Sequence, residues 1–160
     1  MQIREDLCTA CRRCVPYCPV GAIRVEEPDR VYIDQDRCAE CGTCLRMAGC
    51  PSGALEEPAE VYERPRSVRK FFSDAMATHK ETLLPGRGTE EVKTNDVTAR
   101  VKRGEVGIAI EMGRPVLGAR MTDVEKVTMR LARLGIHLEE NNPLSHLLAD
   151  PAQGTVQDWV

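Results

Sequence analysis

Short alternating stretches of apolar and polar residues open the chain, and helical spacing sets in only after residue 66. Gln2–Arg4, Ile23–Glu26 and Val31–Asp34 predict small strands flanking loops, with Ile3, Ile23, Val25, Val31 and Ile33 as their packing positions. Residues 56–66 carry dense charge and two prolines, which predicts a linker with room for one short strand at Val61-Tyr62. From Ser67, a plausible N-cap, the residues Val68, Phe71, Phe72, Ala75, Met76 and His79 recur on one helical face. Residues 85–96 are polar and glycine-bearing, a solvated loop or a contact loop in which Arg87, Lys93 and Asn95 are the groups to test. Val97, Ala99 and Val101 alternate toward Arg103-Gly104, and Val106, Ile108, Ile110 and Met112 alternate away from it, a hairpin signature. Thr122 and Glu125 have capping-box spacing. Val124, Val127, Leu131 and Leu134 form the seam of the helix that follows, and Gly135 ends it. Ile136 and Leu138 begin another strand. The tail from Asn141 contains Pro143 and Pro151 and predicts loose packing, with Trp159 either frayed or docked on a partner.

The predicted fold class is α+β. Residues 1–58 form one unit, 59–66 a linker, and 67–160 an α+β domain of unassigned role. If Val61-Tyr62 is a strand, the second domain reads βαββαβ, the order of a ferredoxin-like α/β sandwich. That name describes a topology and implies no cofactor.

The chemistry is concentrated at the front. All eight cysteines lie within the first 50 residues, as Cys8, Cys11, Cys14 and Cys18 followed by Pro19, and Cys38, Cys41, Cys44 and Cys50 followed by Pro51. The two runs are a repeat: Cys18-Pro-Val-Gly-Ala-Ile23 mirrors Cys50-Pro-Ser-Gly-Ala-Leu55. The offset is 30 residues for the first three cysteines and 32 for the fourth, so the second copy carries two extra residues within Leu45–Gly49. Gly42, inside the second run, permits a turn with positive φ. Four disulfides are disfavoured, because residues 1–20 show no signal-peptide pattern and triplets spaced by two suit a shared metal site. Structural zinc commonly uses two separated pairs, whereas here three ligands come within seven residues. Each run supplies the four thiolates that one cubane iron–sulfur cluster needs, and the spacing of the first run is the one known for bacterial ferredoxins.

Residues 1–58 therefore resemble a bacterial-type ferredoxin with two [4Fe–4S] clusters. The resemblance implies crossed ligation. On that basis Cys8, Cys11, Cys14 and Cys50 hold one cluster, and Cys38, Cys41, Cys44 and Cys18 hold the other.

Charge narrows the function. The whole chain has a formal charge of −3, with 7 Lys/Arg against 10 Asp/Glu in residues 1–58 and 15 of each in 59–160. Bound clusters add further negative charge, which disfavours a nucleic-acid partner. No apolar run has the length of a membrane span. With no export signal and eight thiols to keep reduced, a cytoplasmic, anaerobic setting is expected. Gly86-x-Gly88 lacks the residues of a P-loop or a dinucleotide site. His79, His137 and His146 belong to no nucleophile–base pattern, and every cluster corner has a cysteine. The expected role is therefore a low-potential electron-transfer protein, or an electron-transferring subunit, that is not itself an enzyme. It would donate to a partner oxidoreductase or a larger reductase complex. The alternative is a cluster-containing sensor or accessory subunit whose C-terminal domain binds a small ligand or a partner protein.

Overall fold

The computed structural model describes residues 1–26, 28–77, 101–113, 118–140 and 142–160. In the cysteine-rich part, β1 (Gln2–Ile3) pairs antiparallel with β4 (Leu55–Glu56), and β2 (Ile23–Glu26) pairs with β3 (Arg30–Ile33). The first strand thus closes on the last, and the two halves of the repeat share one core. Met1, Ala22, Ile23, Val31, Ala48 and Leu55 are buried in that core together with Cys38 and Cys44. Ile3 and Ile33 pack against it half-buried, as their alternation predicts. Val25 shares the face of Ile23 but lies toward the hairpin turn, and it is exposed.

The repeat is visible in the backbone. Arg4 N–H donates to Ala54 O and Asp34 N–H to Ala22 O, both at 2.8 Å. Cys8 N–H reaches Arg4 O and Cys38 N–H reaches Asp34 O, both at 3.0 Å. Ala10 and Arg12 have positive φ in the first loop, as do Glu40 and Gly42 at the matching places in the second. Around the third cysteine the copies diverge. The first forms a 3-10 turn, Val15–Tyr17, and the second a short helix, α1 (Thr43–Met47). The two extra residues supply the added length, and they fall where the repeat offset located them.

Residues beyond 58 depart further from expectation. Val61-Tyr62 belongs to a 3-10 turn, Ala59–Tyr62, and is not a strand; Val61 is fully buried. Helix α2 (Arg66–Ser73) begins one residue before Ser67, which sits inside the first turn and makes no cap. Its buried residues are Ser67, Lys70 and Ser73, continued by Asp74. Val68, Phe71 and Phe72 are only half-buried and Met76 is exposed, so the apolar stripe is not the face that packs inward. The charged face packs inward because acidic partners await it across the chain, and Phe71 makes an edge-on contact to Tyr62 at 6.5 Å between centroids. His79, segment 85–96, Val97 and Ala99 lie outside the described residues.

In the C-terminal part, α3 (Met121–Arg133) ends at Gly135, which has a φ of 70°. Its N-cap is Arg120, with no side-chain cap bond, so the Thr122–Glu125 box does not form. Glu125 instead accepts a bond from Val156 N–H at 3.0 Å. Of the expected seam, Val124 is buried, Val127 and Leu131 are half-buried and Leu134 is exposed. The tail is ordered into a small antiparallel pair, β5 (Leu148–Asp150) and β6 (Thr155–Val156), which packs on α3. Thr128 Oγ1 donates to Gly154 O at 2.5 Å, and a Cβ at Gly154 would collide with the Thr128 backbone. Arg103-Gly104 does turn, with Glu105 N–H bonded to Lys102 O at 3.0 Å. Val106–Met112 is nevertheless exposed and in no strand, and Ile136–Leu138 is in none either. Among the described residues the sheet of the βαββαβ sandwich is therefore not formed: alternation marks a residue pattern, but a strand needs a hydrogen-bonded neighbour. Trp159 is not free at the chain end, since the Arg64 guanidinium lies 4.2 Å from its ring centroid. No described helix is long and apolar enough to cross a membrane.

Candidate metal centres

The two loops of the repeat place their cysteines around two separate cavities. One is lined by Cys8, Cys11, Cys14 and Cys50, with Ile3, Val31 and Leu55 among its apolar walls. The other is lined by Cys18, Cys38, Cys41 and Cys44, with Ala22, Ile23 and Ile33 among its walls. Each cavity thus takes three cysteines from one run and the last cysteine of the other. Chain topology causes this. After Cys18 and after Cys50 the chain turns at Gly21 and Gly53, both at positive φ, and enters a strand paired beside the opposite half.

The donor chemistry fits a polynuclear iron–sulfur group. Among the described residues, no three Cys, His, Asp or Glu side chains gather tightly enough for one ion. A tetrahedral zinc site would hold its sulfurs about 3.8 Å apart, from bonds of about 2.3 Å. Four thiols spread around a cavity suit a cube with one thiolate at each corner. Backbone amides aim at two of the sulfurs: Ala22 N–H lies 3.0 Å from Cys18 Sγ, and Ala54 N–H lies 3.3 Å from Cys50 Sγ. Such bonds stabilise the thiolate form.

Thiol acidity follows the same grouping. Burial pushes Cys44 up to about 11, with the neighbouring Cys38, Cys41 and Cys18 adding to the shift. Burial also raises Cys14, helped by Cys11, Cys8 and Cys50. Cys38 is raised, first by burial. For Cys50 burial is again the largest influence and acts upward. Bonds from the Ser52 hydroxyl and the Ala54, Ser52 and Leu55 amides outweigh it together and bring the thiol down to about 7. Crowded, desolvated thiols are costly to ionise alone, so iron binding that neutralises them is coupled to folding.

The cavities differ in cover. Cys11 is exposed and Cys8 and Cys14 are half-buried, whereas Cys38, Cys41 and Cys44 are all buried. Helix α2 lies against the second loop. Arg66 grips Glu40 Oε1 through Nε at 3.0 Å and Nη2 at 2.7 Å, and the Met1 amino group pairs with Glu40 Oε2. Arg46 donates to Cys41 O at 2.7 Å and to Asp74 Oδ2 at 3.1 Å. Lys70 Nζ, 3% exposed, is shared between Asp74 at 2.6 Å and Glu57 at 2.7 Å. Arg69 Nη1 donates to Gln35 O and, at 3.1 Å, to Cys38 O. Reasoning from the sequence missed this network. Its only signal was basic residues spaced through Arg66–Lys70 on the face opposite the apolar stripe. Among the histidines, His146 is exposed, and His137 lies on the surface 3.9 Å from Glu140.

Comparison with known proteins points the same way. Residues 7–54 match the family described as 4Fe-4S dicluster domain. Two relatives, each named "Ferredoxin-like protein in nif region", come from Trichormus variabilis (strain ATCC 29413 / PCC 7937) and Trichormus azollae. Each is 35% identical over 63 residues, a match covering 35% of this chain and 54% of the relative. The chain thus spans about half the length of the curated relatives it matches. No solved structure gives a significant match. Eight cysteines around two cavities, within a segment that matches this family, make residues 7–54 a 4Fe–4S dicluster domain that carries two [4Fe–4S] clusters.

Proposed function

We propose that the protein transfers electrons at low potential to a partner oxidoreductase, through two crossed cluster sites. Cys8, Cys11, Cys14 and Cys50 hold one cluster, and Cys18, Cys38, Cys41 and Cys44 hold the other. The observation that carries the ligand sets is the lining of the two cavities, three cysteines from one run and one from the other in each. When bound, each cluster takes up and releases one electron with little change of shape. The chain's own residues supply the rest. The thiols fix the corners, Ile3, Val31, Ile33 and Leu55 keep water away, and the Ala22 and Ala54 amides hold charge on sulfur. Every cluster corner has a cysteine on this assignment, which leaves no iron for substrate and favours a carrier over an enzyme.

Ligand substitution tests the assignment. The intact protein, loaded anaerobically, is expected to contain about eight irons and eight sulfides, as two cubanes require. Cys18→Ala should damage the cluster of Cys38, Cys41 and Cys44 and leave the spectrum of the other unchanged. If Cys18→Ala instead damages the cluster of Cys8, Cys11 and Cys14, the crossed assignment is wrong.

A further inference from the structure

The cations beside the second cavity are not equivalent. Arg46 is balanced by Asp74, Arg66 by Glu40, and Lys70 by Asp74 and Glu57. Arg69 has no carboxylate partner among the described residues. Its guanidinium is spent on two backbone carbonyls of the cysteine loop, those of Gln35 and Cys38. Among the described residues it is therefore a positive charge without an ion-pair partner, bonded to a residue whose own thiol lines the cavity.

We infer that Arg69 is a positioning residue that sets the reduction potential of one cluster alone, the one at Cys18, Cys38, Cys41 and Cys44. The inference rests on the ligand sets proposed above. Reduction adds one negative charge to a cluster, and the potential depends on nearby charge, hydrogen bonding and solvent access. Burial of Cys38, Cys41 and Cys44 opposes that added charge by removing water. Arg69 opposes the burial by placing a cation on the loop. Helix α2 is then part of the redox unit, although it lies beyond the cysteine-rich segment. It covers the second site from outside the repeat, whereas the first has Arg12 and Arg13 of its own loop at the cavity and Cys11 facing solvent.

The test is a redox titration of the full, two-cluster protein, with dithionite as the electron donor and paramagnetic resonance as the readout for each cluster. Arg69→Gln keeps a donor for a carbonyl and removes the charge. At a given potential it should lower the reduced-to-oxidised ratio of the second cluster about tenfold, equivalent to about 59 mV for one electron. The first cluster should move by far less. Arg69→Lys should restore the wild-type value, which loss of packing alone would not do. If Arg69→Gln does not load, Arg69→Met decides: a fall of the second cluster's midpoint supports the inference, and an unchanged midpoint overturns it. Equal movement of both clusters, or of neither, also overturns the inference. Failure of the ligand sets has a different signature, an iron content other than eight or the wrong cluster lost in Cys18→Ala.

Discussion

Arg12 in the first cysteine loop takes the left-handed conformation that Gly42 takes in the second, and Cys11 meets solvent where Cys41 is buried. The two loops share their turns, their strand entries and their amide-to-sulfur bonds. They differ in what lies outside them. The first is open. The second is lengthened by the short helix α1 and covered by α2, with Glu40, Asp74 and Lys70 buried in the ion pairs between them. Repetition of sequence has thus duplicated a ligand frame, while segments outside the repeat have given each copy its own dielectric and charge. Two sites with the same ligands need not have the same redox behaviour.

The strongest way to break this comparison is to remove iron. We predict that chelation collapses both copies together, because they share one small core built partly from the cysteines themselves. Amide exchange should show residues 1–58 losing protection. Met121–Arg133 should keep its own, because its bonds to Gly154 and Val156 involve no cysteine. Survival of the second copy without iron would show that α2, and not the metal, determines its fold.

How far the sequence discloses all this depends on the range of the forces involved. The cysteine frame is legible because ligands within seven residues must wrap one object, whatever lies further along the chain. The strands at Ile23–Glu26 and near Val31 follow for the same local reason. Helix α2 is legible as a helix, but its orientation is not. The stripe of Val68, Phe71 and Phe72 marks the hydrophobic side, yet the partners that decide the packing are Glu40 and Glu57, outside the helix. Glu125 shows the same limit. Its spacing from Thr122 suits a cap, but Val156 N–H, 31 residues on, claims its carboxylate. The alternation of Val106–Met112 fails as a strand for want of a neighbour among the described residues.

A smaller perturbation separates cover from frame. Burial pushes the Asp74 carboxyl up, but bonds from Lys70, Arg46 and Met76 N–H outweigh it and hold its pKa below the usual value. Asp74→Asn leaves Lys70 buried with Glu57 as its remaining carboxylate, so the loss is that of a charge-assisted hydrogen bond, about 2–3 kcal/mol. Guanidinium-induced bleaching should shift accordingly, with the second cluster lost first. The sign of the pH dependence is fixed by the depressed pKa. The contribution of Asp74 is complete above its unfolded value of 3.8 and is lost as pH falls through the lower folded value. The gap between wild type and Asp74→Asn should therefore hold from about pH 7 to about pH 5 and close only in stronger acid. A gap that closed near neutrality would assign the effect to another group.

The finest test exchanges the two copies at one matching position. A Cβ at residue 42 would lie 2.6 Å from Arg46 Nη1 and 3.2 Å from Asp74 Oδ2, and the backbone there has a φ of 68°. Gly42→Ala should therefore cost about 2 kcal/mol, from left-handed strain of about 1–2 kcal/mol plus displacement of Arg46. Arg12 already bears that strain at a φ of 60°. Arg12→Gly should relieve it, but it also removes the Arg12 Nη2 bond to Pro28 O at 3.5 Å and gives the unfolded chain more freedom, so the net change should stay within about 1 kcal/mol of zero. Rates of cluster bleaching in guanidinium, read separately for the two clusters, measure both substitutions. A clear loss at position 42 and little change at position 12 are expected, because the repeat demands the same φ at both and a Cβ at residue 42 meets Arg46. Equal losses at both positions would mean that the Arg12 side chain contributes contacts outweighing its strain, and the open first loop would then be less open than its exposed Cys11 implies.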